Sequence, residues 1–102
     1  MTPETEDGMS EKRPYIILDE QDNVATVIRD LPCGDTVETD GGKIVTRQAI
    51  PYGHKFALWA IPKGEYVIKY GAQIGRATAP ISQGDHVHVH NVEDIVDEVR
   101  KK

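Results

Sequence analysis

The chain has 102 residues, of which 28% are charged, and its net charge at pH 7 is −5. The length fits one small domain, and the acidic balance argues against a surface for nucleic acid or anionic membranes, which needs clustered Lys and Arg. No apolar run approaches the roughly 20 residues of a membrane span, and the acidic, polar N-terminus lacks the pattern of a signal peptide. The single cysteine, Cys33, excludes an internal disulfide, so a reducing cytoplasm is the expected location.

The first half of the chain has the pattern of short strands. Residues 1–13 carry almost no apolar content and predict a flexible polar tail ahead of a single domain over residues 14–102. The next stretch, "YIILDEQDNVATVI", predicts a hairpin of two short strands. Further β-rich runs, separated by Pro and Gly, are "DTVET", "KIVTR", "HKFALW", "YVIKY" and "HVHVH". This succession predicts a mostly-β domain.

The last segment, "NVEDIVDEVRKK", predicts a short C-terminal helix over residues 92–100. Its apolar residues follow the spacing of one helical face: Val92, Ile95, Val96 and Val99. Asn91 has the right chemistry for the N-cap of this helix, and the basic residues at its end suit the helix dipole. We expect the apolar face to pack on the β domain or on a partner.

An internal repeat relates residues 31–58 to residues 61–89 at an offset of 30, which becomes 31 after one inserted residue. The matched positions include Pro32 with Pro62, Gly34 with Gly64, Val37 with Val67, Ile50 with Ile81 and Gly53 with Gly84. Two interpretations stay open. Small β proteins reuse the same turn residues, or the domain has a pseudo-two-fold arrangement of two similar units. In the second case, the strands that begin at His54 and Asp85 occupy related positions.

The run "GDHVHVHNV" contains three of the four histidines at every second position. On a strand, His86, His88 and His90 share one face, and the two valines between them point into the core. Neighbouring imidazoles are then roughly 6 to 7 Å apart and the outer pair roughly 13 Å apart. With Zn–N bonds of about 2.0 to 2.1 Å, one His-x-His pair can hold a metal, but all three cannot unless the strand bends sharply.

Two other segments carry cationic side chains that suit an anion. "GHKFAL" places His54 and Lys55 at a turn-to-strand junction, and "IKYG" places Lys69 and Tyr70 before a turn glycine. His54 and Asp85 are candidates for the further ligands that a metal site would need. The alternative for each of these positions is a solvated surface without a specific role, and N-capping alone explains Asn91.

The succession "GHKFAL", "IPKGEYVIKYG" and "GDHVHVHN" over residues 14–92 resembles the small N-terminal domain of the altronate and galactarate dehydratase family. The resemblance implies a SAF domain with a β-clip fold, which is similar to type III antifreeze proteins and to the antifreeze-like domain of sialic acid synthases. It also implies a lyase. The family's enzymes remove water from sugar acids such as altronate or galactarate, and two-subunit relatives release sulfite from sulfolactate. A divalent metal, Fe²⁺ or Mn²⁺, is associated with the dehydratases.

Because the sequence ends soon after this motif, we expect it to be the separate small subunit of such an enzyme, inactive without a large catalytic partner and acting on a small hydroxy acid. Elimination beside a carboxylate needs a base, an acid or Lewis acid for the leaving group, and a cationic clamp. The resemblance extends to these positions: His54, Lys55, Lys69, Tyr70, Gly71, His86, His88, His90 and Asn91. Among them, we expect His86, His88 and His54 to be catalytic, Lys55, Lys69, Tyr70 and Asn91 to bind substrate, and His88 with His90 to bind a metal.

Several alternatives stay open at this point. The substrate is altronate, galactarate, sulfolactate or a related acid. Without a catalytic partner, the chain would instead be a free-standing module that binds a sugar acid, a polyol or a metal ion. Assembly into a homo-oligomer is compatible with each of these functions.

Overall fold

The structure is a computed structural model that describes residues 13–95. These residues form nine strands joined by turns: β1 (Tyr15–Ile16), β2 (Val24–Val27), β3 (Thr36–Thr39), β4 (Gly42–Val45), β5 (Lys55–Ala57), β6 (Tyr66–Lys69), β7 (Ala72–Ala77), β8 (His86–Val87) and β9 (Val92–Glu93). The mostly-β prediction is therefore confirmed. The described part of the chain contains no helix, and so none that is long and apolar enough to cross a membrane. Nearly all of the predicted tail lies outside the described residues.

All strand pairs are antiparallel, and they form three small sheets. The largest sheet has the order β1-β2-β5-β8, the second consists of β3 and β4, and the third has the order β6-β7-β9. The hairpin predicted for "YIILDEQDNVATVI" is confirmed by the pairing of β1 with β2. Each of the other two sheets contains a hairpin, β3–β4 or β6–β7, that packs its apolar side chains toward the four-stranded sheet.

The four-stranded sheet carries one hydrophobic cluster on each face, because successive side chains of a strand point to opposite sides. Ala25 of β2 and Phe56 of β5 belong to the first cluster, together with Val37 and Ile44 from the β3–β4 hairpin. Their chain neighbours Val24 and Ala57 point to the other face and belong to the second cluster. The other members of that cluster are Ile61, Val67, Ala77, Ile81 and Val87. The central sheet thus carries a hydrophobic cluster on each of its two faces, which explains why β2, with the sequence VATV, has apolar residues pointing to both faces.

The two repeated segments make corresponding backbone contacts. Leu31 bridges Ile50, and Ile61 bridges Ile81. The amide of Gly34 donates to the carbonyl of Thr46, and the amide of Gly64 donates to that of Ala77, both at 2.8 Å. Both glycines have a φ near +90°, at 86° and 92°, a region that glycine adopts without strain. These contacts favour two similar units, and the two-fold relation between the units stays a prediction.

The predicted helix over 92–100 is wrong at residues 92–95, and its remainder lies outside the described residues. Val92 and Glu93 instead form β9, which pairs with Arg76 and Ala77 of β7. The pairing satisfies the backbone of this segment, and Val92 packs against the second hydrophobic cluster. Asn91 therefore does not cap a helix here.

We expect Phe56→Ala to lower the free energy of unfolding by about 3–5 kcal/mol, because Phe56 is the largest fully buried side chain. Urea denaturation followed by circular dichroism measures the loss. The matched control is Tyr52→Ala, which removes an aromatic side chain that is 68% exposed and should change stability by less than about 0.5 kcal/mol. Equal losses for the two variants would contradict the described core.

Candidate functional site

The pairing of β5 with β8 brings His54 to the histidine-rich run. Lys55 lies opposite Val87 and Phe56 lies opposite His86. Continuing this register by one residue places His54 opposite His88, and residues opposite each other on antiparallel strands share a face. The rings of His54 and His88 are accordingly stacked, with 4.0 Å between their centroids and 20° between their planes.

His86 completes a group of three imidazoles. Its Nε2 lies 2.8 Å from Nδ1 of His54, and its ring centroid is 5.1 Å from that of His54. Nitrogen atoms of His54, His86 and His88, one from each ring, all lie within 4.8 Å of one another. We call these three residues the histidine cluster. The ring of His90 stacks at a tilt on His86, at 5.1 Å between centroids, but His90 is not a member of the cluster.

The chain turns directly after β8, which is shorter than the predicted strand. The amide of Asn91 donates to the carbonyl of His88 at 3.1 Å. Val87 is fully buried as predicted, but Val89 is 81% exposed, because the turn takes it away from the core. The prediction that Val89 points inward is therefore wrong. The predicted separation of roughly 13 Å between the outer rings is wrong too, because the turn brings the ring of His90 to 5.1 Å from that of His86.

The side chain of Asn91 holds this turn. Its Oδ1 accepts a hydrogen bond from the amide of His88, and its Nδ2 donates one to the carbonyl of His86, each at 2.9 Å. Both polar ends of the amide are thus used by the backbone of the histidine run. Asn91 positions two members of the histidine cluster, which leaves its predicted contact with substrate as an untested expectation.

Two further residues position β8, and the sequence analysis missed both. A Cβ on Gly84 would overlap the carbonyl oxygen of Val45, and Gly84 has a φ of +88°, so only glycine fits this approach to β4. Gln48 accepts a hydrogen bond from the amide of His86 at 2.8 Å. The glycine was visible as one half of a repeated pair, whereas nothing in the sequence marked Gln48.

Burial and mutual repulsion favour the neutral forms of His86 and His88. Burial lowers the pKa of His86 to about 4, and positive charge on His54, on the other two histidines and on Lys55 would add to the effect. Burial also lowers the pKa of His88, again with a contribution from His54. Asp85, a candidate ligand, is not in the cluster and accepts hydrogen bonds from Arg47 and from the amide of Ser82. The lone pairs of His86 and His88 therefore stay available near neutral pH.

A cleft of about 260 Å³ adjoins the histidine cluster, and His88 lines it. The other lining residues are Lys55, Val67, Ile74, Val89, Val92, Glu93 and Asp94. Burial lowers the pKa of Lys55, and the positive charge of Lys69 lowers it further. The cleft combines apolar walls with the cation Lys55 and the carboxylates of Glu93 and Asp94.

Tyr70 lies apart from this cleft. It occupies the β6–β7 turn with a φ of +58°, it is 50% exposed, and the ammonium of Lys69 lies 4.7 Å from its ring centroid. The structure thus brings together His54, His86 and His88 and places Lys55 in the cleft that His88 also lines. His90 stacks on His86 outside the cluster, and Lys69 lies against Tyr70.

The family follows from comparison with known proteins. Residues 13–95 match the family described as altronate/galactarate dehydratase SAF domain. The chain belongs to this family. The SAF domain is 49% identical over 77 residues to altronate dehydratase of Escherichia coli (strain K12), covering 76% of the chain and 16% of that enzyme. It is 39% identical over 59 residues to (2R)-sulfolactate sulfo-lyase subunit alpha of Paracoccus pantotrophus, covering 58% of the chain and 88% of that subunit.

A second sulfo-lyase subunit alpha, from Chromohalobacter salexigens, is 54% identical over 46 residues, 45% of the chain and 49% of that subunit. These relatives are lyases, as predicted from the histidine motif. The SAF domain spans about a sixth of the altronate dehydratases it matches, at 16% and 18% of their lengths. In the relatives, this domain is therefore a small part of a larger dehydratase or is named as one subunit of a sulfo-lyase.

We expect His86 of the metal-free SAF domain to titrate with a pKa of about 4 instead of 6.5. The unfolded chain takes up its proton near pH 6.5, so acidification from pH 6.5 toward pH 4 favours unfolding, and this contribution is absent above pH 6.5. Titration of the imidazole ¹H and ¹⁵N resonances by NMR measures the pKa, with His86→Gln to assign the signal. A His86 signal that titrates near pH 6.5 would contradict the buried, crowded position of the ring.

Proposed function

We propose that this SAF domain is the small component of a lyase that acts on a hydroxylated acid, and that its histidine cluster faces a site shared with a larger catalytic component. The alignment over 88% of a sulfo-lyase subunit alpha carries the proposal, because that relative is a separate subunit of the same family. The reaction is removal of water from a sugar acid such as altronate, or release of sulfite from sulfolactate.

Elimination next to a carboxylate has requirements that this face meets in part. A base removes the α-proton, and the electron pair of the broken C–H bond forms the C=C bond. The C–O bond then breaks with a proton from an acid, so that water leaves, or the C–S bond breaks and sulfite leaves. Lys55 supplies a cation for the substrate carboxylate, and Lys69 stays a predicted substrate-binding residue. Members of the histidine cluster act as proton carriers or as ligands of a divalent ion, which would supply Lewis-acid chemistry at the leaving group.

The larger component supplies the remainder of the site. In the part of the chain that the structure describes, the histidine cluster contains imidazoles alone, and the nearby carboxylate of Asp85 is used in an ion pair with Arg47. A specific enzyme also needs a closed pocket that selects the substrate by its length. The open cleft beside His88 leaves that role to a partner surface, so this chain alone should not turn over substrate.

The test is an assay of the purified chain alone and together with the large dehydratase-like protein that co-purifies with it from its own cells. Altronate, galactarate and (2R)-sulfolactate are offered, and mass spectrometry detects the keto acid or sulfite. We expect no turnover by the chain alone and turnover of one substrate by the mixture. His88→Ala should lower kcat/KM at least about 100-fold, and the exposed-surface control Tyr52→Ala should leave it unchanged.

Three results would contradict the proposal: turnover by the isolated chain, no turnover of any of these acids by the mixture, or an unchanged rate with His88→Ala. Binding of altronate by the isolated chain, with no turnover by the mixture, would favour the alternative of a sugar-acid binding module.

A further inference from the structure

The histidine cluster has the spacing of a metal site before any ion is added. Nδ1 of His54 and Nε2 of His86 are 2.8 Å apart, and one nitrogen from each of the three rings lies within 4.8 Å of the other two. Two imidazole nitrogens on one ion, each at about 2.0 to 2.1 Å, are about 2.8 to 3.4 Å apart in octahedral or tetrahedral geometry. Small side-chain rotations would therefore bring all three nitrogens onto one ion.

The backbone under each ring is fixed, so the cluster does not need refolding to bind. His54 is held on both sides: its carbonyl accepts from Val27 and its amide donates to Pro51, each at 2.9 Å. His86 is fixed by its pairing with Phe56 on β5. The side chain of Asn91 holds the backbone of His86 and His88 together. Ligands carried by supported strands lose little freedom on binding, which favours affinity.

Among the three ring contacts of the histidine cluster, a hydrogen bond accounts only for the contact between His54 and His86. One nitrogen of the His54–His86 pair donates and the other accepts, which satisfies two rings. His88 stacks on His54 at 4.0 Å, and no hydrogen bond between these two rings accompanies the stacking. An ion bound by neutral imidazoles uses the lone pairs of all three rings.

We propose that His54, His86 and His88 form a divalent metal site within this chain alone, which takes a late first-row transition ion and leaves further coordination positions open. Imidazole donors suit Zn²⁺, Co²⁺, Ni²⁺, Cu²⁺ and Fe²⁺, whereas Mg²⁺, Ca²⁺ and Mn²⁺ prefer oxygen ligands. Three protein ligands are typical of a site that keeps a position for water or substrate. This set replaces the predicted pair of His88 and His90, and it favours Fe²⁺ over Mn²⁺ among the two expected ions.

The site does not rest on the lyase proposal, because it uses only contacts within this chain. Its connection with the cleft is through His88, which belongs to both. Lys55 lines the same cleft together with Glu93 and Asp94, and its ammonium would pair with the carboxylate of a hydroxy acid bound as a fourth ligand.

The test is titration of the full-length chain, freed of metal with a chelator, with Co²⁺ followed by visible absorption and with Zn²⁺ followed by calorimetry. We expect one equivalent of either ion to bind with a Kd in the micromolar range or tighter, corresponding to about −8 kcal/mol, and Zn²⁺ to displace Co²⁺. His54→Ala and His88→Ala should each weaken binding at least about 100-fold. His90→Ala is the matched control on the same run of sequence and should retain the affinity.

Circular dichroism of each variant confirms that it folds. The proposal is overturned if the wild-type chain binds no ion tighter than about millimolar, or if His90→Ala weakens binding as much as His54→Ala does. These readouts are separate from catalysis. A chain that binds Zn²⁺ while its mixture with the large component is inactive would refute the lyase proposal and leave the metal site standing. An active mixture whose small component binds no metal would refute the metal site and leave the lyase proposal standing.

Discussion

The antiparallel register of β5 on β8 is the constraint on which the candidate site depends. Lys55 lies opposite Val87 and Phe56 opposite His86, which places the side chains of His54, His86 and His88 on one face of the sheet. Lys55 starts from the other face, and the cleft that it lines meets the cluster at His88. A slip of one residue would reverse these faces, because side chains alternate along a strand. The register is specified by burial: Val87 and Ala57 must enter the second hydrophobic cluster while Phe56 enters the first.

The same burial produces the chemistry of the cluster. Phe56 follows His54 by two residues, lies opposite His86 and has no exposed surface, so these imidazoles stand at the edge of an apolar core. Removal from water disfavours the charged forms of His86 and His88, and nearby positive charges add repulsion. The result is a group of nitrogen donors next to a cleft that Lys55, Glu93 and Asp94 line, held in place by the hydrogen bonds of Asn91.

The sequence predicted the strands well and the end of the chain poorly. Alternation and turn residues located the β1–β2 hairpin and the buried Val87, because these signals are local. The spacing from Val92 to Val99 indicated a helix, but pairing with β7 outweighed this pattern at Val92 and Glu93. Valine suits strands at least as well as helices. In the histidine run, spacing alone predicted that one His-x-His pair can hold a metal, without deciding which pair. The pair expected was His88 with His90, and His54 was one candidate for the remaining ligands. The choice depends on the register between two strands separated by about 30 residues of chain, and on a turn that the Asn91 side chain stabilises. Neither is a local signal.

Nuclear Overhauser contacts across β5 and β8 in the isotope-labelled chain test this account most directly. The account predicts backbone contacts between Lys55 and Val87, together with contacts between the rings of His54 and His88. Backbone contacts that pair Lys55 with His86 or with His88 would place His54 on the opposite face from the other two histidines and would contradict it.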